Sequence, residues 1–432
     1  MTSGQENHLG SPPETLTVAI VGFGTVGQAA TRILCARDDQ RLQLTYICNR
    51  NVERKRVDWV PDGVTWTDDI QTVLASDVDI VVELIGGQDP AADWIRRALE
   101  AGKSVVTANK QVIARCGGDL AALVKTPHQH LCFEAAVAGG VPVIRGVQEG
   151  LAGDRLFRIR GILNGTCNYI LTRMEVDQVP FTSALEEAQE LGFAEADPTA
   201  DVDGFDAQAK LAILSAVGLR RPLDVETIPL RSITTVEPVD FVYADRLGCT
   251  IRQVSQVELD GRSDGLLVAS VQPTLVPRVS ALARVEGSRN VVVVEGEFGG
   301  ETVFSGLGAG GNPTAVAVVS DLESIARGGS GTPMALGADG SPATVRQEFV
   351  APHYVRFIVA DRPGIIAALA EVFSRHGVNV DSVLQEPGWS KDELPFVVTL
   401  EACSSVAVER ALSESASFDF HIRPPLWMPV LT

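Results

Sequence analysis

Lys210 is the residue around which chemistry can be built. Asp206 lies four positions before it, so on a helix the two share one face. Glu195, Asp197, Asp201 and Asp203 come shortly before them. No histidine lies between His130 and His353, so proton transfer in this central stretch falls to lysine, carboxylate or hydroxyl groups. A lysine among carboxylates suits acid–base work. Its ammonium gives a proton to an oxygen that gains charge, and the carboxylates recognise an amine and orient the reacting group. Two plainer readings stay open. One is a surface helix pair with acidic capping residues. The other is a calcium loop, because DVDGFD at 201–206 resembles part of one, although the full ligand spacing is missing. A second lysine, Lys110 in VVTANKQVIA, stands just past an apolar run that ends at Thr107. In an open parallel sheet that is where ligands meet the protein; the plainer reading is a surface lysine.

A glycine pattern supplies a second kind of chemistry. Gly22-Phe23-Gly24-Thr25-Val26-Gly27 follows the short apolar run LTVAIV at 16–21 and opens a helical pattern that reaches about residue 36. In that context the first glycine permits a tight turn and the second lets backbone approach a pyrophosphate. The third lets helix and strand pack closely, with the helix N-terminus facing the anion. The next strand, at about 42–48, ends in Cys48-Asn49-Arg50-Asn51, with Arg54, Lys55 and Arg56 close behind. No carboxylate stands where a ribose hydroxyl of NAD would want one. The fork of Arg50 suits a 2′-phosphate instead, so NADP is the expected cofactor, with NAD possible.

The elements that must position these groups alternate. Apolar runs at 16–21, 42–48, 77–87 and 104–107 read as buried strands. The helical segment PAADWIRRALEA at 90–101 places Trp94, Ile95, Ala98 and Leu99 on one face. Strands that alternate with helices predict βαβ units and a parallel sheet. A further strand is expected near 130–135. From Phe157 onward the pattern changes to a strand, helices at 182–191 and 206–218, strands across 251–300, and a Gly-rich loop opening a helix at 306–326. The stretch 327–348 is rich in Gly, Ser and Pro and is expected to be a linker. Beyond it, residues 349–432 predict a small module of βαββα order. The division expected is a tail (1–15, disordered), a nucleotide-binding domain (16–145), a catalytic and dimerisation domain (146–326), the linker and the C-terminal module.

Composition narrows the function classes. The 432 residues carry 36 Lys plus Arg against 55 Asp plus Glu, a net charge of −19. Such a chain repels phosphate backbones and anionic lipid, so neither nucleic acid nor membrane surface is an expected partner. No apolar run approaches the ~20 residues of a membrane helix. Seven scattered cysteines with no CxxC pair argue against a disulfide framework or zinc ribbon and fit a reducing cytoplasm.

Several uncommon strings occur together across about residues 16–326: GFGTVG, ELIGG, VVTANK, FEAAVAGGVP, GILNGTCNYILTRM, LGFAEADPTADVDGFDAQAK and a GLGAGG segment. In this order they resemble the homoserine dehydrogenase family in its monofunctional form, and DRPGIIAALAEVF resembles an ACT domain. The resemblance implies a Rossmann-type nucleotide-binding domain, an α+β substrate and dimerisation domain, and a C-terminal ACT module. It implies reversible NAD(P)H-dependent reduction of L-aspartate 4-semialdehyde to L-homoserine, in threonine, methionine and isoleucine biosynthesis. Lys210 would then be proton donor, or base in reverse, and Lys110 a second lysine beside substrate and cofactor. Glu195 and Asp206 would hold homoserine, supported by Asp201. Thr25, Val26, Arg50, Thr107, Lys110 and Gly310 would line the NADP site. The segment with Glu134, Val137, Gly139 and Val141 is similar to the family's loop for a monovalent cation such as sodium, bound mostly by backbone carbonyls. Asp361 and Gly364 would mark an effector site, with threonine the implied effector and a homodimer or homotetramer the implied assembly. Two other readings remain open: a semialdehyde dehydrogenase using Cys167 as nucleophile, and a non-catalytic nucleotide- and amino-acid-sensing protein.

Overall fold

The computed structural model describes residues 15–37, 41–259, 266–329 and 343–432. The expected tail therefore lies almost wholly outside the described residues, as does most of the expected linker. The chain divides into two units. In the first, β1 (Leu16–Val21), β2 (Leu42–Cys48), β3 (Thr65–Thr67), β4 (Ile80–Glu83), β5 (Ser104–Thr107) and β6 (Leu131–Cys132) form one sheet in the order β3-β2-β1-β4-β5-β6. Every neighbouring pair is parallel. The order reverses between β1 and β4, which is where a doubly wound sheet opens a crevice for a ligand. The strand expected at 130–135 shortens to β6 and a turn of 3-10 helix at Glu134–Ala136.

The first unit also takes back a distant piece of chain. The helix Gly311–Ala326 shares a core with the helix Thr25–Cys35: Ala315, Val318 and Leu322 pack with Ala29, Ala30 and Leu34. Gly311 allows the approach, since a Cβ there would lie 2.8 Å from Thr25 Cγ2. The sequence reading kept 311–326 with the catalytic domain; the structure places it with the nucleotide-binding unit. An apolar helix face declares that it will be buried, but not by what.

The second unit holds two sheets. Strands β7 (Leu156–Ile162), β8 (Cys249–Leu259), β9 (Leu267–Pro277), β10 (Arg289–Gly296), β11 (Gly300–Leu307) and β12 (Val345–Arg346) run in the order β11-β10-β7-β8-β9-β12. The C-terminal strands β13 (Val350–Val359), β14 (Val380–Leu384), β15 (Leu394–Ser404) and β16 (His421–Pro429) form an antiparallel sheet in the order β14-β15-β13-β16. With the helices Ile365–Arg375 and Ser405–Ser415 its order is βαββαβ, one strand more than the sequence reading. The extra strand, β16, contains Pro424 and Pro425, which argue against a strand. It lies at a sheet edge, where missing N–H groups cost no ladder bonds.

This C-terminal sheet shares its interior with the substrate-domain part of the unit. Tyr354, Val397 and Met428, all buried, belong to one apolar cluster with Cys167, Val202, Ile233 and Ile251. A buried polar clamp crosses the same junction. Asp240, on the helix Pro238–Arg246, accepts from Tyr354 Oη at 2.7 Å and pairs with Arg356 Nη1 at 3.2 Å. Arg356 also pairs with Glu237 at 3.0 Å and donates to the Thr235 carbonyl at 3.2 Å. Burial pushes the Asp240 carboxyl up to about 6 even with Arg356 beside it. Past β16, Leu431 donates its N–H to Leu275 and buries its side chain with Ile162, Val254 and Val291.

His353 on β13 makes this junction sensitive to acid. Its ring is buried against Trp427 (centroids 5.2 Å apart) and Phe349 (6.0 Å). Burial, with Arg231 nearby, lowers its pKa from 6.5 to about 4. The unfolded chain therefore takes up a proton below pH 6.5 that the folded chain refuses until about pH 4, and stability is lost as pH falls through that window. Asp240 has the opposite sign, since its folded pKa is raised, and it loses stability as pH rises from about 4 to 6. Relative to wild type, His353→Leu should therefore gain about 3 kcal/mol of stability between pH 6.5 and 4. Urea midpoints at several pH values would check this; parallel curves for the two proteins would refute it.

Candidate active site

The glycine loop connects β1 to the helix Thr25–Cys35. Gly22 has φ +105°, and a Cβ there would meet the Leu84 carbonyl at 2.7 Å; a Cβ on Gly27 would fall 2.0 Å from Gly22 O. Both positions exclude side chains. Gly24 differs, with open space around the place of its absent Cβ and no side-chain cap on the helix that follows. Thr25 is exposed and Val26 half-buried in that first turn. This is a fit for pyrophosphate: a smooth approach at Gly24 and first-turn N–H groups pointing toward an anion. Phe23 holds the loop down. It is fully buried against Trp59 and Trp66, and its N–H donates to Asn49 Oδ1 at 3.1 Å. Arg50 is exposed and lines a hollow of about 480 Å³ with Arg54, Trp66 and Thr67; Glu53 and Asp68 stand in the same wall.

The ends of β4 and β5 are tied by a residue to which sequence reasoning gave no role. Glu83 is 1% exposed. One carboxylate oxygen accepts from Thr107 Oγ1 at 2.6 Å, and the other accepts from the N–H groups of Ile85 (2.8 Å) and Gly86 (3.3 Å). Thr107 Oγ1 accepts from Asn109 N–H, and Asn109 donates to Gly87 O while capping the helix Lys110–Ala121. Lys110, half-buried, is the first residue of that helix. A carboxylate inside an apolar run, as in IVVELIGG, is the signal that could have found Glu83. Gly310, φ +112°, directly precedes the helix Gly311–Ala326 in the same unit.

In the second unit Asn164 is the hub. It caps the helix Gly165–Asp177 by accepting from Cys167 N–H at 2.8 Å. Its amide nitrogen donates to Asp201 Oδ1 at 2.6 Å and to Asp206 Oδ2 at 3.0 Å. Asp206 lies in the first turn of the helix Phe205–Leu214, where the dipole favours a carboxylate. Lys210 Nζ, one turn later, donates to Asp206 Oδ2 at 2.7 Å and to the Leu163 carbonyl at 2.8 Å. The side chains of Lys210 and Asp206 are 12% and 11% exposed. Burial, reinforced by the nearby Asp206, raises the Asp201 carboxyl above the usual range; the Asn164 bond works against this. An ammonium has three N–H groups, so two are held by the protein and one remains for a reacting oxygen.

The structure thus brings Asp201, Asp206 and Lys210 together. Glu195 stands outside that hydrogen-bonded network, exposed, its backbone carbonyl taken by Gln189. Cys167 is fully buried, its thiol pushed well up by burial and its Sγ donating to Asp201 O, which suits packing and not nucleophilic attack. Glu134 is buried in the first unit, its N–H on Asp321. Val137, Gly139 and Val141 belong to the second unit, where Ala138 and Gly139 have consecutive left-handed φ values of +54° and +52°. Among the described residues no cluster of three His, Cys, Asp or Glu could hold a metal ion, so backbone carbonyls are what this loop offers a cation. Asp361 and Gly364 are exposed in the loop between β13 and the helix Ile365–Arg375; Gly364 has φ +98°. Among the described residues no helix is long and apolar enough to cross a membrane.

Comparison with known proteins identifies the family. A family model for homoserine dehydrogenase matches residues 142–322, one for the homoserine dehydrogenase NAD binding domain matches 22–134, and one for the ACT domain matches 353–412. A homoserine dehydrogenase of Mycobacterium tuberculosis is 42% identical over 416 residues, covering 92% of each chain. The solved structure of a homoserine dehydrogenase from Thiobacillus denitrificans superposes with a TM-score of 0.87 at 30% identity, covering 97% of this chain and 98% of that one. A hyperthermophilic archaeal homoserine dehydrogenase in complex with NADPH has a TM-score of 0.63 at 27% identity, covering 74% of this chain and 99% of that one. Family models over both the nucleotide-binding and the Lys210-bearing segments, with a relative this similar along nearly the whole length, settle the matter: the chain belongs to the homoserine dehydrogenase family and is an NAD(P)-dependent oxidoreductase.

Proposed function

We propose that this homoserine dehydrogenase uses Lys210 as the proton donor to the aldehyde oxygen of L-aspartate 4-semialdehyde, and as the base when L-homoserine is oxidised. The observation that carries the reading is the ammonium fixed on Leu163 O and Asp206 with one N–H left over. The bound dinucleotide supplies the hydride. As charge grows on the substrate oxygen, Lys210 stabilises it and passes a proton. Asp206 keeps the lysine aimed, and Asn164 keeps Asp206 in place. Asp201, Asp206 and Glu195 receive the substrate's amine. Lys110, Thr107, Thr25, Val26 and Gly310 serve the cofactor side. Loss of reduced-nicotinamide absorbance on adding the semialdehyde tests the reaction; no loss with a folded enzyme would overturn it.

The finer assignments belong to the same reading. NADP is the preferred dinucleotide, held through Arg50, and the relative solved with NADPH supports that preference. A charge-assisted hydrogen bond is worth ~1.5–3 kcal/mol. Arg50→Ala should therefore raise KM for NADPH about 10–100-fold and leave KM for NADH nearly unchanged. An unaltered NADPH preference would remove Arg50 from the assignment. The 137–141 backbone takes a monovalent cation such as sodium. Exchange of sodium for choline is then expected to lower activity. Threonine acts through Asp361 and Gly364, so variants there should lose its inhibition while the basal rate persists. The enzyme works in the cytoplasm as a homodimer or homotetramer.

A further inference from the structure

Asn290, the second residue of β10, is 1% exposed. Its Nδ2 donates at 2.9 Å to the Leu163 carbonyl, the same oxygen that accepts from Lys210 Nζ at 2.8 Å. Its Oδ1 is buried without a hydrogen-bond partner among the described residues. The next four residues are Val291, Val292, Val293 and Val294. An apolar residue would pack here without an orphaned oxygen, which costs ~1–3 kcal/mol. What the amide alone adds is a second donor on the carbonyl that anchors the lysine.

Asn290 is itself held. Gly308 packs on it so closely that a Cβ there would fall 2.1 Å from Asn290 Cγ. Gly139, in the left-handed pair of the 137–141 loop, packs in turn on Gly308: its absent Cβ would lie 2.5 Å from Gly308 O. Gly139, Gly308, Asn290, Leu163 and Lys210 thus form an unbroken succession of contacts inside one unit. From it we infer that Asn290 is a positioning residue for the proton donor. It fixes the Leu163 carbonyl, and the Gly308 contact fixes Asn290. The inference rests on the reading of Lys210 as proton donor.

The test uses the full-length enzyme and the variants Asn290→Ala, Asn290→Asp, Gly308→Ala, the Gly308→Ala/Asn290→Ala double variant and Lys210→Met. Losing one anchoring bond should lower kcat about tenfold in Asn290→Ala. Asn290→Asp should lose at least as much, because it turns an acceptor toward an acceptor. KM for the semialdehyde and the dissociation constant for NADPH should stay within about threefold. The pH–kcat profile should move with the kcat loss. Gly308→Ala should show the same kcat loss in wild type and none in the Asn290→Ala background, where the Cβ has room. Unchanged kcat and pH profile in both Asn290 variants, or a Gly308→Ala cost of equal size in both backgrounds, would overturn the inference. A Lys210→Met enzyme that still turns over would instead overturn the reading beneath it.

Discussion

Lys210→Met should lower kcat by about 10²–10⁴-fold, the range for a lost general acid, with the fold intact. Methionine nearly matches the lysine stem, so the half-buried side chain still packs. Asp206 keeps Asn164 as donor and its place in the first turn of a helix, so removing the ammonium does not strand a buried charge. Binding of the nicotinamide dinucleotide, whose domain lies in a different unit of the chain from Lys210, should be unchanged. Lys210→Arg keeps the charge, but a guanidinium does not give up its proton, and it should be nearly as inactive. Steady-state kinetics with circular dichroism and an NADPH titration separate loss of chemistry from loss of structure. Turnover near wild type in either variant removes Lys210 from the mechanism.

Arg356→Met should destabilise the second unit by about 3–5 kcal/mol, the usual cost of leaving one partner of a buried ion pair behind. Asp240 is 0% exposed and, among the described residues, would keep the Tyr354 hydroxyl and the Glu237 N–H as its donors. The loss should grow with pH. Its carboxyl already titrates at about 6 with Arg356 present, and without that cation it holds its proton to higher pH still. In mild acid the buried group is neutral and little is lost; in mild base folding must force the proton off or bury a bare charge. Asp240→Asn added to Arg356→Met should recover most of the stability, because an amide needs no counter-charge. Urea midpoints at pH 5 and 8 decide. A pH-independent loss would show that Arg356 contributes packing and not charge.

The nucleotide-binding half was readable because its strands are buried on both faces and so appear as uninterrupted apolar runs. LTVAIV and LQLTYIC coincide with β1 and β2. The glycine spacing located the loop, and the i,i+4 spacing of Asp206 and Lys210 located the ion pair. The residues that support these groups were not readable. Asn164 and Asn290 support these groups through contacts 37 to 127 positions away along the chain; Asn164 reads locally only as a helix cap, and nothing local marks Asn290. The helix Gly311–Ala326 shows an apolar face with no address on it. Strand β16 was hidden by two prolines that only an edge position tolerates. Glu195 was one of the acidic residues seen ahead of Lys210 and took its substrate role from the resemblance; the hydrogen bonds that join Asn164, Asp201, Asp206 and Lys210 do not include it.

The interior that Tyr354, Val397 and Met428 share with Ile233 and Val202 bears on whether the ACT domain can be cut away from the rest of the chain. Severing the polypeptide ahead of β13 would not leave a self-sufficient catalyst; it would strip a wall off the catalyst's own foundation and bare Asp240, now covered by Tyr354 and Arg356, to solvent. The proposed threonine site at Asp361 and Gly364 must therefore be tested by single replacements, not by amputation.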